Sequence, residues 1–157
     1  MLYIEVPEKQ ETGLTKLFLA GSITGAPDWQ KIIISKVKDF DIAIYNPRRR
    51  NFSNNISGLD VEQISWEHEY LEKADVVSFW FCKETLSPIT LFELGTYSKI
   101  SKPIVIGMDP EYLRRRDIEI QIGLVRPDVK IVYKLDDLVP LIYEMTVKLP
   151  YGIIKRL

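Results

Sequence analysis

The sequence predicts a three-layer α/β domain, Rossmann-like or flavodoxin-like, around a five-stranded and mainly parallel sheet. Three observations carry this. Short apolar runs recur at Leu17-Phe18-Leu19-Ala20, Ile42-Ala43-Ile44-Tyr45, Val76 to Phe81, Pro103 to Gly107 and Val129 to Tyr133. Stretches with helical spacing separate them. The runs are apolar at consecutive positions rather than alternating, which marks strands covered by helices on both faces.

Each element follows from local chemistry. Met1 to Val6 reads as a short edge strand and Pro7 to Gly13 as a polar turn. Gly21-Ser22 closes the first apolar run. Ala26 to Phe40 then has helical periodicity, with Trp29, Ile32, Ile33 and Val37 on one side. Asn46-Pro47 stops the second run. Beyond a polar loop, Asp60 to Ala74 reads as a helix whose inward stripe is Val61, Ile64, Leu71 and Ala74. The strongest strand opens at Asp75. Ser87-Pro88 is a helix start, serine as N-cap and proline at the first helical position, and that helix runs to about Ser101. Helices are expected over 112–124 and from Asp136 to Lys148, and Cys82, ending an apolar strand, reads as core.

The chain of 157 residues fits one domain, with a core over about 16–146, a peripheral N-terminal segment 1–15 and a C-terminal tail 147–157. Its apolar fraction of 46% and charged fraction of 27% are ordinary globular values, so disorder is not expected. A net charge of −1 argues against a broad basic surface for a nucleic-acid polymer. One cysteine and one histidine give little basis for a disulfide framework or a metal site. No apolar run approaches the roughly 20 residues of a membrane span, and Met1 to Gln10 lacks the order of a signal peptide, so a cytoplasmic protein is expected.

Right-handed crossovers place the strand-to-helix loops at one edge of the sheet, where ligands bind near the switch point. Four loops fall there: Gly21 to Asp28, Asn46 to Gly58, Cys82 to Pro88 and Gly107 to Arg116. Glu93, between Leu91-Phe92 and Leu94, is costly to bury unless something uses or pairs it; a first-turn glutamate favoured by the helix dipole is the plainer alternative. Glu67, three after Ile64 and four before Leu71, points partly inward, or else snorkels to water. His68 reads as a boundary residue. Two inward carboxylates near one sheet edge suit glycosyl transfer: one attacks the anomeric carbon, the other serves the leaving group. Gly21-Ser22-Ile23-Thr24-Gly25 offers amides and hydroxyls at a helix start, which suits a phosphate, although a tight turn explains it as well. Arg48-Arg49-Arg50 lies at the same edge, as a solvated face or with one arginine reaching an anion. Arg114-Arg115-Arg116 suits a solvated or interface role.

Assembled, Phe18-Leu19-Ala20-Gly21-Ser22-Ile23, Asn46-Pro47-Arg48-Arg49, Trp66-Glu67, Ala74-Asp75-Val76-Val77 and Ser87-Pro88-Ile89-Thr90-Leu91-Phe92-Glu93-Leu94-Gly95 resemble the nucleoside 2-deoxyribosyltransferase-like superfamily, including its nucleoside 5'-monophosphate N-glycosidase branch. The resemblance spans roughly residues 16 to 135. It implies Glu93 as nucleophile and Glu67, where aspartate is usual, as the acidic residue near base and sugar. It implies Asp75 as a closure of the helix-to-strand turn, and substrate contacts from Phe18, Gly21, Ser22, Ile23, Thr24, Asn46, Arg48, Arg49 and Ser87. Gly21, Ser22 and Ser87 match positions that hold a 5'-phosphate; an aspartate at the last position, as in the classical transferases, would repel one. No metal or organic cofactor is implied. The partners implied are a small nucleoside or nucleotide substrate and a second copy of the chain, with 108–121 as the segment lent to a neighbouring pocket. Phe18 departs from the tyrosine often present, whose phenol bonds the nucleophile; Tyr45 or Tyr97 is the candidate replacement. The same departure suits a second reading, a nucleotide-binding sensor without catalysis.

Overall fold

A computed structural model of the protein describes residues 1–50 and 58–148. The polar loop at 51–57 and the tail from 149 onward lie outside the described residues. Among the described residues six strands form one parallel sheet: β1 (Leu2–Glu5), β2 (Thr15–Gly21), β3 (Ile42–Asn46), β4 (Val76–Phe81), β5 (Ile104–Met108) and β6 (Ile131–Val132). The expected count of five becomes six because the N-terminal segment joins as a full edge strand, Leu2 to Glu5 pairing with Ala43 to Asn46.

Helices α1 (Trp29–Lys36), α2 (Leu59–Lys73), α3 (Pro88–Tyr97), α4 (Arg115–Val125) and α5 (Leu138–Tyr143) cover the sheet. Successive strand residues point to opposite faces, and the core divides accordingly. Phe18, Ala20, Val77, Phe79, Phe81, Ile104 and Ile106 pack with Trp66 and Tyr70 of α2, Leu94 and Tyr97 of α3, and Ile118 and Ile122 of α4. Leu17, Leu19, Ile44, Val76, Trp80 and Val105 pack with Trp29 and Ile33 of α1 and Leu138 and Ile142 of α5. Each fully buried aliphatic or Phe side chain contributes about 1.5–3 kcal/mol of transfer energy. Consecutive apolar strand residues are therefore used twice, once on each face.

Several helices are shorter than their periodicity suggested. The segment expected as one helix from Asp136 to Lys148 is a 3₁₀ turn (Leu135–Asp137), α5 and a wide π turn (Glu144–Lys148). Ile32 is exposed, so the α1 stripe is Trp29, Ile33 and Val37. The inward stripe of α2 is also corrected: Val61 and Ile64 are 65% and 64% exposed, and Trp66, Tyr70 and Leu71 are buried. Aromatic bulk decides the rotation. Trp66 and Tyr70 stack at 4.2 Å with an interplanar angle of 11°, Tyr45 meets Tyr70 edge-on at 4.6 Å, and Trp66 Nε1 donates to the Glu8 carbonyl at 2.8 Å. Two large rings bury more area than Val and Ile offer.

The strand order β1-β3-β2-β4-β5-β6 fixes where a ligand fits. From β2 the chain steps outward to β3, then returns across β2 to lay down β4. The order reverses between β2 and β4, so the carboxyl ends of these two strands form the crevice of an open α/β sheet. Among the described residues no helix is long and apolar enough to cross a membrane.

Candidate active site

The end of β2 runs unusually close to its surroundings. A Cβ on Gly21 would sit 2.5 Å from Trp29 Cζ2 and 2.6 Å from the Trp80 carbonyl oxygen, so only glycine lets the strand end there. The chain then turns through Ser22 to Asp28, and Asp28 caps α1 by accepting from Lys31 N at 3.1 Å. Arg48, just past β3, braces this turn. Its Nη2 lies 3.1–3.4 Å from the carbonyl oxygens of Ser22, Ile23, Ala26 and Pro27, and its Nε donates to Gln30 Oε1 at 3.0 Å. Nε and Nη2 of this guanidinium are thus committed to Gln30 and to the turn, and the side chain is 18% exposed at the cleft.

The helix start at α3 differs from expectation in one respect. Pro88 takes the first helical position, but the Ser87 hydroxyl does not cap the helix. Ser87 adopts the left-handed conformation (φ 50°, ψ 53°), which costs a non-glycine residue about 1–3 kcal/mol and persists only where the surroundings enforce it. The surroundings here are hydroxyls. Ser87 Oγ makes a very short hydrogen bond with Ser22 Oγ, and Thr85 Oγ1 lies 3.0 Å from Ser22 Oγ and 3.1 Å from Ser87 Oγ. Thr85 Oγ1 also accepts from Ser87 N at 3.1 Å. Three hydroxyls thus meet between β2 and β4. Each carries one rotatable proton, so the cluster can turn its donors toward an incoming anion.

The carboxylates come from two helices on one face of the sheet. On α3 the buried residues are Thr90, Leu94 and Tyr97, and Glu93 falls within that stripe, while Phe92 is 75% exposed. On α2, Glu67 lies one residue after the buried Trp66. Burial and the nearby Glu67 charge push the Glu93 carboxyl up to about 8. Burial also raises Glu67, partly offset by a hydrogen bond from Gln63 and the charge of Arg49. Among the described residues no donor reaches the Glu93 carboxylate. Phe18 supplies none; it packs at 6.2 Å from Trp66. Neither candidate replacement fills the gap: Tyr97 donates to Glu72 Oε1 at 2.8 Å, and Tyr45 is held against Tyr70.

Hydroxyls and carboxylates border one cleft of about 1260 Å³. Phe18, Gly21, Ser22, Ile23, Thr24, Asn46, Arg48, Arg49, Glu67, Ser87 and Glu93, all singled out by sequence, line it. Asn46 is buried, donating to Tyr3 Oη at 2.9 Å and accepting from Arg48 N at 3.1 Å. Arg49 is bonded to Glu62 and Gln63, and Arg50 sits over the Tyr3 ring with Glu5 as ion partner. Sequence reasoning missed Thr85, Gln63 and the β1 residues Tyr3 and Glu5, which also line the cleft. Two signals were available: Thr85 stands two before Ser87, and Gln63 stands four before Glu67 on a helix. Asp75, in the α2–β4 turn, ties that turn to β2: its Oδ2 accepts from Lys16 N at 2.9 Å.

The sequence matches the family described as nucleoside 2-deoxyribosyltransferase like over residues 14–112, from the approach to β2 to the start of the segment before α4. Among curated proteins the chain has no match.

Proposed function

The chain belongs to the nucleoside 2-deoxyribosyltransferase-like family, and from that premise we propose that it cleaves the N-glycosidic bond of a (deoxy)ribonucleoside, preferentially as the 5'-monophosphate, through a glutamyl-glycosyl intermediate. The observation that carries the reading is the half-buried pair Glu93 and Glu67 on one cleft wall, near enough for one charge to raise the other.

Two interacting carboxyls titrate as a unit, and over an intermediate pH range they share one proton. In the productive arrangement Glu93 is the anion and Glu67 holds the proton. A Glu93 oxygen attacks C1' while the C1'–N bond breaks. The departing electron pair goes to the base nitrogen, and the base takes the Glu67 proton. Glu67, now ionised, removes a proton from water, which attacks C1' and releases Glu93. A second base in place of water gives exchange. The Ser22, Thr85 and Ser87 hydroxyls suit the 5'-phosphate, with the Gly21 to Gly25 turn beside them. Arg48 serves that end indirectly, by holding the turn's carbonyls. No step calls for a metal or organic cofactor.

A homo-oligomer fits the same reading. Ile89 and Phe92 on α3 are 65% and 75% exposed, and Leu113 in the candidate segment 108–121 is 74% exposed, an apolar surface that a second copy would cover.

The test is incubation of the pure protein with nucleosides and 5'-monophosphates, with free base followed by chromatography. Release that disappears in Glu93→Ala is the expected result. Binding of a monophosphate without any release would instead favour a nucleotide sensor, the alternative that Phe18 suits. An added acceptor base separates transfer from hydrolysis, because only transfer gives the exchanged nucleoside.

A further inference from the structure

We propose that Gln63 is a positioning residue that, locked by Arg49, dictates which oxygen of Glu67 carries the transferable proton; this rests on the glycosidic reading above. Every polar atom of the Gln63 amide is engaged. Its Oε1 accepts from Arg49 Nε at 2.8 Å, and its Nε2 donates to Glu67 Oε1 at 2.8 Å and to the Pro47 carbonyl at 2.7 Å. The amide has one stable orientation. Flipped, its oxygen would face the Glu67 oxygen and the Pro47 carbonyl, and its NH₂ would face the Arg49 N–H, losing three bonds and setting like groups against each other. Arg49 is itself fixed, because Nη2 donates to Glu62 Oε2 at 2.5 Å and its side chain is only 9% exposed.

The consequence is directional. Glu67 Oε1 accepts an N–H, so a proton there would compete with the Gln63 donor. In the productive arrangement, where Glu67 carries the shared proton, that proton therefore sits on Oε2, and Oε1 is committed to Gln63 before any substrate arrives. After the proton has gone to the base, the same N–H steadies the carboxylate that activates water. The charged groups bearing on Glu67 are Arg49, from the segment after β3, and Glu93, from α3. Glutamine four residues before a helical acid makes a side-chain hydrogen bond that is only weakly stabilising on an exposed helix. What sets this pair apart is its place on the cleft wall, with the arginine behind it.

A ¹³C carboxyl NMR titration and a leaving-group comparison test the relay together. In Gln63→Met the Glu67 titration moves to higher pH, since the donor that favours its anion is gone. In Gln63→Glu, which keeps an acceptor for Arg49, it moves higher still. Cleavage of a purine 5'-monophosphate falls about tenfold or more in Gln63→Met, within the range of general-acid contributions. Cleavage of its N7-methylated analogue, whose cationic base departs without a proton, stays within about twofold. Equal losses on both substrates, or a Glu67 titration that neither variant moves, would overturn the relay. If the unaltered protein cleaves neither substrate, the glycosidic reading fails, and the titration still decides whether Gln63 governs Glu67.

Discussion

The two ends of the cleft solve opposite electrostatic problems. At the β2–β4 crevice, Ser22, Thr85 and Ser87 bring together neutral hydroxyls that satisfy one another, and the cost is taken up by backbone: a left-handed Ser87 and a β2 end that only Gly21 fits. At the α2–α3 wall, Glu67 and Glu93 bring two acids out of water, and the cost falls on their ionisation. The hydroxyl end is ready to receive charge. The carboxylate end resists its own ionisation and is disposed to hold a shared proton. The substrate proposed above, with an anionic tail and an electron-poor sugar carbon, would complement both.

Removing the acid breaks the comparison most severely. Glu93→Gln should lower base release by about 10³-fold or more, measured by single-turnover chromatography, because the proposed route runs through a bond from Glu93 to C1'. Ser87→Asp should act at the other end only. It places a carboxylate in the hydroxyl cluster and should lower kcat/KM for monophosphates by about 10²-fold while sparing nucleosides. Loss on both substrate classes alike would mean that the cluster does not read phosphate. Phe18→Tyr should sharpen the contrast by giving Glu93 a donor, raising kcat by about tenfold and lowering the Glu93 titration.

The smaller effects are in pH. If the pair works with one shared proton, as proposed, kcat/KM should fall as pH rises past about 8, where the pair loses that proton in the free protein. Activity that instead climbed through that pH would remove Glu67 from its role as acid. For stability the sign runs the same way. The folded-state value of about 8 lies above the ordinary 4.5, so the contribution of Glu93 is complete below 4.5 and is lost as pH rises through about 8. Thermal melts should therefore show Glu93→Gln more stable than the unaltered protein at pH 8, by on the order of a few kcal/mol, with the gap closing toward pH 4.5.

The positions on the site were largely legible along the chain, and the roles of several were not. Glu93 and Ser87 stand out because they interrupt or open an apolar helix just past the strongest strand, where chain order alone places a loop at the ligand edge. The α2 stripe was misjudged because counting apolar residues gave Val61 and Ile64 the weight that Trp66 and Tyr70 carry in area. The hydrogen-bond partners of Arg48 and Ser87 were not legible for a common reason: a polar residue in a loop has several partners within reach, and its spacing does not rank them. Arg48 found four carbonyls, and Ser87 found two hydroxyls rather than a backbone amide. The strand Leu2–Glu5, outside the matched family segment, adds Tyr3 and Glu5 to the cleft wall through its pairing with β3, a contact between residues about forty apart.

By itself the sequence determined the parallel layered fold, the edge of the sheet where the cleft opens and the two glutamates, Glu67 and Glu93, that line it, since each depends on periodicity and on order along the chain. Only the tertiary structure decided that Gln63 locks Glu67, that Arg48 braces a turn and that three hydroxyls converge. Those are choices among competing hydrogen-bond partners, and they are made by distances across the fold that no local spacing encodes.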